Sequence, residues 1–157
     1  MKVKGINFED FVNYKKPSMF ISFPNCSFKC DKECGRAVCQ NSMLALSPDI
    51  EISVEEIVER YINNPITKAI VCGGLEPFDS FRDLSELITK LREVTDDEIV
   101  IYTGYKEEEI MEYVEPFLFT FSPIIVKYGR FIPDCESYLN EVLGVKLASP
   151  NQYAKRY

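Results

Sequence analysis

Four of the six cysteines in this chain fall within one short run, Cys26-Ser-Phe-Lys-Cys30-Asp-Lys-Glu-Cys34-Gly-Arg-Ala-Val-Cys39, while Cys72 and Cys135 stand apart. Clustered thiols in a chain of intracellular character point to metal or redox chemistry, because a reducing compartment works against disulfides. Structural zinc sites usually gather cysteines in tight pairs, often with two residues between them. No pair in this run has that spacing, although four local thiolates remain able to hold zinc. An iron–sulfur cluster is the better match, since such clusters are held by thiolates supplied from a compact loop. Cys26, Cys30 and Cys34 also lie four apart, as on one buried edge of a helix. The Lys29, Asp31, Lys32 and Glu33 between them, and the Gly35 after them, read instead as a polar loop.

The chain has no histidine, which removes Ser-His-Asp and Cys-His nucleophilic sites, imidazole bases and His-ligated zinc. Chemistry must come from thiols, carboxylates, lysine, tyrosine or a cofactor. Eighteen basic against 25 acidic residues give a net charge of −7. Much of the excess lies in EISVEEIVER, VTDDE and YKEEEIMEYVEP, which read as solvated helix faces and ends. An acidic chain without a basic stripe is a poor match for phosphate backbones, so no nucleic-acid partner is expected. No apolar run nears the ~20 residues a membrane helix needs, and MKVKGINFEDF carries no apolar signal core. The expectation is a cytoplasmic protein with no membrane partner.

The elements that must position the cysteines follow from periodicity. PSMFISFP (17–24) reads as a strand running straight into the cysteine run. Residues 53–63 read as a helix with Val54, Ile57, Val58 and Tyr61 on one side, opened by a Ser53/Glu56 capping box. TKAIVCGG (67–74) is a short buried strand ended by two glycines, and Leu84, Leu87, Ile88 and Leu91 mark a helix over 80–93. DEIVIYTGY (97–105) is a further strand, 106–115 a helix, and FLFTFSPIIVKYG (117–129) more strand. A last short helix over 134–142 and a final strand near 143–148 complete the reading. Strands alternating with helices make an α/β fold with a parallel sheet and crossover helices. A complete eight-fold barrel commonly takes ~250 residues. The 157 residues here suit one domain, 1–157, built as a partial, open β/α barrel of about five units. On this reading the cysteine run, Gly73–Pro77 and Tyr102–Tyr105 all fall at strand carboxyl ends, where ligands of such sheets collect.

NFEDFVNYKKPSMFISFPNCSFKC, CQNS (39–42), GGLEP (73–77), IYTGY (101–105), KYGRFI (127–132) and SPNQ (149–152), six motifs in order along almost the whole chain, resemble those of the radical SAM activating enzymes of anaerobic ribonucleotide reductase. NFEDFVNYKKPSMFISFPNCSFKC is similar to that family's opening, in which a "DFVN"-like segment and a strand lead into the cluster cysteines. Cys39-Gln40-Asn41-Ser42 resembles its "CHNP" or "CQNP", and Gly73-Gly74-Leu75-Glu76-Pro77 its "GGEP" or "GGDP". Ile101-Tyr102-Thr103-Gly104-Tyr105 matches "YTGY", Lys127-Tyr128-Gly129-Arg130-Phe131-Ile132 is similar to "DGRFI", and Ser149-Pro150-Asn151-Gln152 to "SSNQ". Three departures stand out. The family's spacing is Cys-x3-Cys-x2-Cys, whereas this run is longer, so spacing alone makes Cys34 the third ligand and the "CQN" context makes it Cys39. Leu75 is inserted between the glycines and Glu76, and Val38 or Glu33 stands where the family commonly has an aromatic.

The resemblance implies a radical SAM fold and a [4Fe-4S] cluster on Cys26, Cys30 and Cys39, the "CQN" match favouring Cys39. It implies that S-adenosyl-L-methionine binds the open iron and is reductively cleaved to a 5′-deoxyadenosyl radical. Gly73 and Gly74 would let backbone approach the methionyl part, and Glu76, followed by Pro77, would accept a charge-assisted hydrogen bond from the ammonium. Tyr102 and Thr103 would line the ribose or adenine side, with ordinary strand packing as the competing role. The implied partners are a glycyl-radical protein such as anaerobic ribonucleoside-triphosphate reductase, and an electron donor such as flavodoxin or ferredoxin. A small radical SAM enzyme on another substrate, or a non-catalytic zinc or iron–sulfur protein, are the alternatives. Asn41 braces the loop by analogy, Cys72 reads as core packing, Cys135 is unassigned, and Lys127 and Arg130 read as contacts to solvent or a partner.

Overall fold

Period-two and period-3.6 patterns alternate along the chain and generate the elements in turn. The computed structural model describes all residues, Met1–Tyr157. Strands β1 (Lys2–Val3), β2 (Gly5–Asp10) and β3 (Ser18–Phe23) come first. Short helices α1 (Lys29–Cys34) and α2 (Ser42–Leu46), strand β4 (Ile50–Glu51) and helix α3 (Val54–Ile62) follow. Then β5 (Ala69–Gly74), α4 (Phe81–Arg92), β6 (Glu98–Tyr102), α5 (Glu107–Thr120) and β7 (Ile124–Tyr128) alternate strictly. Strands β8 (Tyr138–Asn140), β9 (Val145–Leu147) and β10 (Tyr153–Arg156) close the chain.

The principal sheet has six strands in the order β10-β7-β6-β5-β3-β2. Its four central strands are parallel, with Phe20, Val71, Val100 and Ile125 in register across them. The edges β2 and β10 run antiparallel. Alternation in β3 turns Met19, Ile21 and Phe23 toward the same side as Cys72, Ile99, Ile101, Ile124 and Val126, and helices α3, α4 and α5 pack there. Leu84, Leu87, Ile88 and Leu91 of α4 are fully buried against that face, each worth roughly 1.5–3 kcal/mol relative to exposure. The opposite face carries Ala69, Val71, Val100 and Ile125, covered by buried Tyr14, Leu143 and Leu147 and by partly buried residues that include Tyr138, Val142 and Val145. The three long crossover helices α3, α4 and α5 therefore lie on one side, and the cavity lies on the other, where the short α1 and α2 reach it through Cys30 and Leu44.

Several expectations need correction. Helix α5 runs to Thr120, not 115, and β7 begins at Ile124 rather than at 117. Phe117 and Leu118 continue the buried stripe of Ile110 and Val114, so packing overrides both Pro116 and the β-prone look of FLFTF. Residues 134–142 form no helix. Tyr138–Asn140 pairs with Val145–Leu147 in a separate antiparallel hairpin, turned at Gly144 with φ 71°. The expected last strand therefore leaves the main sheet, and β10 takes its edge. Four parallel strands joined by three crossovers stand where about five β/α units are expected. The capping box at α3 is half formed: Ser53 accepts from the Glu56 amide at 3.1 Å, but the Glu56 carboxylate turns to Arg60. The cysteine run is not all loop, since Cys30 and Cys34 sit on α1, which buries none of its residues.

Candidate functional site

A cavity of about 480 Å³ opens at the carboxyl ends of the four parallel strands. Its floor comes from Phe20 and Ser22 of β3, Gly74 to Glu76 at the end of β5, Tyr102 to Gly104 at the end of β6, Lys127 of β7 and Gly129 just after it. One side is the cysteine segment and the other the terminal hairpin, through Lys146, Leu147 and Ala148. A larger, shallower depression of about 760 Å³ lies between β2 and α3, but its lining of Glu9, Glu56, Glu59, Arg60 and three further polar or proline residues around Phe8 holds no thiol.

Cys26, Cys30 and Cys39 all line the cavity, and Cys34 does not. Cys72 is fully buried on the helix side and Cys135 is exposed. The approach to Cys26 is clasped by the turn after β5. Asn25 accepts from the Glu76 amide at 2.7 Å and donates to Ser80 at 2.9 Å, and the Ser27 amide donates to Asp79 at 2.5 Å. Tyr105 fixes the other oxygen of Asp79 from its hydroxyl at 2.6 Å. Burial pushes the Cys26 thiol up to about 12 and raises that of Cys30, a proton that metal coordination displaces. The three thiols share a wall without converging, for no three Cys, Asp or Glu side chains are gathered closely enough to hold one metal ion. The donor chemistry, several cysteine thiols on one cavity wall with no histidine in the chain, fits a group held by cysteine thiolates, as iron–sulfur clusters are.

The glycine turn serves the sheet before it serves any ligand. A Cβ on Gly74 (φ 79°) would stand 2.8 Å from Ser22 Cα, so glycine is required there by the closeness of β3; one on Gly73 would stand 3.1 Å from the Phe20 ring, a tight contact that the ring must yield to. Gly74 reaches the cavity wall, whereas Gly73 and Pro77 do not. Pro77 begins a single 3-10 turn capped by the Glu76 carboxylate. Glu76 is 5% exposed and accepts from the Phe78 amide at 3.2 Å, the Thr103 hydroxyl at 2.8 Å and the Gly104 amide at 2.8 Å. Burial outweighs these bonds and raises its carboxyl to about 7. Thr103 thus commits its hydroxyl to Glu76, and Tyr102 commits its own to the Asn13 carbonyl at 2.6 Å. Both line the cavity with their polar tips directed at protein. The inserted Leu75 is buried and contributes an apolar patch to the wall.

Lys127 and Arg130 are not the solvent-facing groups the sequence suggests. Lys127 is 7% exposed, donates to the Gly129 carbonyl at 2.9 Å and has its ammonium lowered to about 8 by burial. The signal for it is a lone lysine in the apolar strand IIVKY. Arg130, equally buried, pairs with Glu109 at 2.7 Å and Glu33 at 3.1 Å, closing α1 against α5. Lys146 and Gln152 also reach the cavity; Gln152 ends the Ser149–Gln152 motif, whereas no local pattern marks Lys146. Asn41 does brace the loop, donating to the Gly74 carbonyl at 2.5 Å.

The model of a family described as "4Fe-4S single cluster domain" matches residues 16–143, a span that includes the whole cysteine run and all four parallel strands. No protein of curated function and no solved structure matches the chain. No helix is long and apolar enough to cross a membrane.

Proposed function

This chain belongs to the 4Fe-4S single cluster domain family, and from that premise we propose that Cys26, Cys30 and Cys39 hold its cluster and that the cluster serves S-adenosylmethionine radical chemistry. The observation that carries the reading is that these three thiols, and not Cys34, share one cavity with Glu76 at the ends of four parallel strands. Cys26, Cys30 and Cys39 would hold the cluster, which when bound and reduced would supply the electron for opening a sulfonium bond.

The protein's own residues do the rest. A carboxylate offers about four acceptor positions, and Glu76 uses three, leaving one on Oε2 for the ammonium of an amino-acid ligand. Lys127 places a cation in the same wall, offsetting the negative charge that thiolates and a carboxylate bring together. Phe20, Leu44, Leu75, Phe131 and Leu147 give the cavity apolar surface, which limits water around reactive species. A sheet with its three long crossover helices on one face and its cavity on the other is compatible with the open β/α barrel of radical SAM type, which belongs to this proposal. So do the partners: a glycyl-radical protein such as anaerobic ribonucleoside-triphosphate reductase, and flavodoxin or ferredoxin as electron donor.

The test is anaerobic reconstitution with iron and sulfide, then dithionite and S-adenosylmethionine, with 5′-deoxyadenosine as the readout. The parent and Cys34→Ala should form it, and Cys39→Ala should not. An iron-loaded parent that forms none would reduce the site to a structural cluster.

A further inference from the structure

The segment that brings Cys39 to the cavity has little to hold it. Helix α1 ends at Cys34, Gly35 (φ 65°) reverses the chain, and Gly35, Arg36 and Ala37 are exposed. Arg36 meets Asp134 at 3.3 Å, but both side chains are largely exposed, and such a pair contributes little. One stronger tether exists. Asp31 Oδ1 accepts from the Val38 and Cys39 amides together, both at 2.8 Å. A single ionised oxygen receiving two successive amides is a charge-assisted arrangement, stronger than its neutral counterpart. It reaches from the turn of α1 next to Cys30 to the backbone of Cys39 itself. We infer that Asp31 is a positioning residue that folds the enlarged loop back so that Cys39, and not Cys34, faces the cavity as the third thiol.

The inference rests on the cluster reading for its consequence, and its geometry stands without it. Asp31 links the backbones of two candidate ligands across the loop, so it sets their separation. Asn41 holds the far side of Cys39 to the end of β5, which leaves Asp31 to define the near side. Cys34 shares α1 with Cys30 but has no such tie, and it lies outside the cavity wall.

Anaerobic alkylation with iodoacetamide and mass mapping of each cysteine, on the full chain as parent, Asp31→Ala and Asp31→Asn, tests this. In the apoprotein, Asp31→Ala should raise the alkylation rate of Cys39 relative to Cys34 at least about tenfold, the change that losing even one hydrogen bond to a charged group implies. Cys26 and Cys30 should change less than about twofold, and Asp31→Asn, which keeps an acceptor oxygen, should lie nearer the parent. After reconstitution the parent should shield Cys26, Cys30 and Cys39 but not Cys34, and Asp31→Ala should lose the shielding of Cys39. An unchanged Cys39 in Asp31→Ala overturns the proposal. So does a common rise at all four cysteines, which would make Asp31 a support of the loop at large. If the parent takes up no iron, the cluster reading fails while the apoprotein comparison still decides the role of Asp31.

Discussion

Replacing Glu76 by glutamine should change how the apoprotein's stability depends on pH, with a size that follows from burial. The carboxyl has an ordinary value of 4.5 and stands at about 7 in the folded protein, chiefly because burial disfavours its charge. The native state therefore holds this proton more tightly than the unfolded chain. The stability it contributes is fully present below pH 4.5 and is lost as pH rises to 7. At about 1.4 kcal/mol per pH unit, the whole change is about 3 kcal/mol, most of it between pH 5 and 7.5. Glutamine does not titrate, but its amide nitrogen would face the Gly104 N–H, now 2.8 Å from Oε2. That opposed pair of donors costs about 1–3 kcal/mol at every pH. The variant should thus be the less stable protein at pH 5 and should gain on the parent by about 2–3 kcal/mol by pH 7.5. Urea unfolding of the reduced apoprotein, followed by far-UV circular dichroism over that range, measures the difference directly. Parallel profiles for the two proteins would refute the reasoning, because a carboxyl that titrates near 7 must bend one and not the other. Carboxyls this costly near neutral pH cluster at functional sites.

Two further outcomes follow from the packing. Gly74→Ala should cost at least about 2 kcal/mol in a urea melt, since φ 79° is strained for alanine and the new Cβ would stand 2.8 Å from Ser22 Cα. Gly104→Ala is its control: there the Cβ meets Cys30 Sγ at an ordinary 3.5 Å, and the cost should stay within about 1 kcal/mol. Arg130→Met should lower the melting temperature by roughly 2–8 °C, a loss of about 1–2 kcal/mol. The loss is moderated because Glu109 keeps Lys29 at 3.3 Å and the Lys106 amide at 2.8 Å.

The elements that were legible are those whose apolar residues are buried in a repeating pattern. AIVCGG is buried almost throughout, SMFISF buries Met19, Ile21 and Phe23 at every second position, and the Leu84–Leu91 stripe follows the helical period. The edge strands GINFED and YAKR mix exposed with part-buried residues, so their pairing is decided by a neighbour remote in sequence. Phe117 misleads for a related reason. Its ring packs on Phe81 at 5.2 Å and Phe121 at 5.1 Å, contacts that reward a helix there and that no local pattern announces. In the site, the cysteines and Glu76 stand out by type and spacing. Lys127 is one residue in an apolar strand, and Lys146 arrives from a hairpin whose place over the sheet is a property of the whole fold. The double glycine was legible as a motif but not in its cause, because the approach of β3 is a packing fact.

The sheet divides the apolar interior unequally, with a cluster of 23 buried residues on the helix side and one of 7 on the cavity side. Endurance and chemistry are thereby lodged in different halves of the molecule. Substitutions among Phe20, Leu44, Leu75 and Leu147 alter the shape offered to a ligand while the larger cluster remains whole. A scaffold partitioned in this way can exchange one small-molecule preference for another in single steps, each short of the threshold at which the chain stops folding.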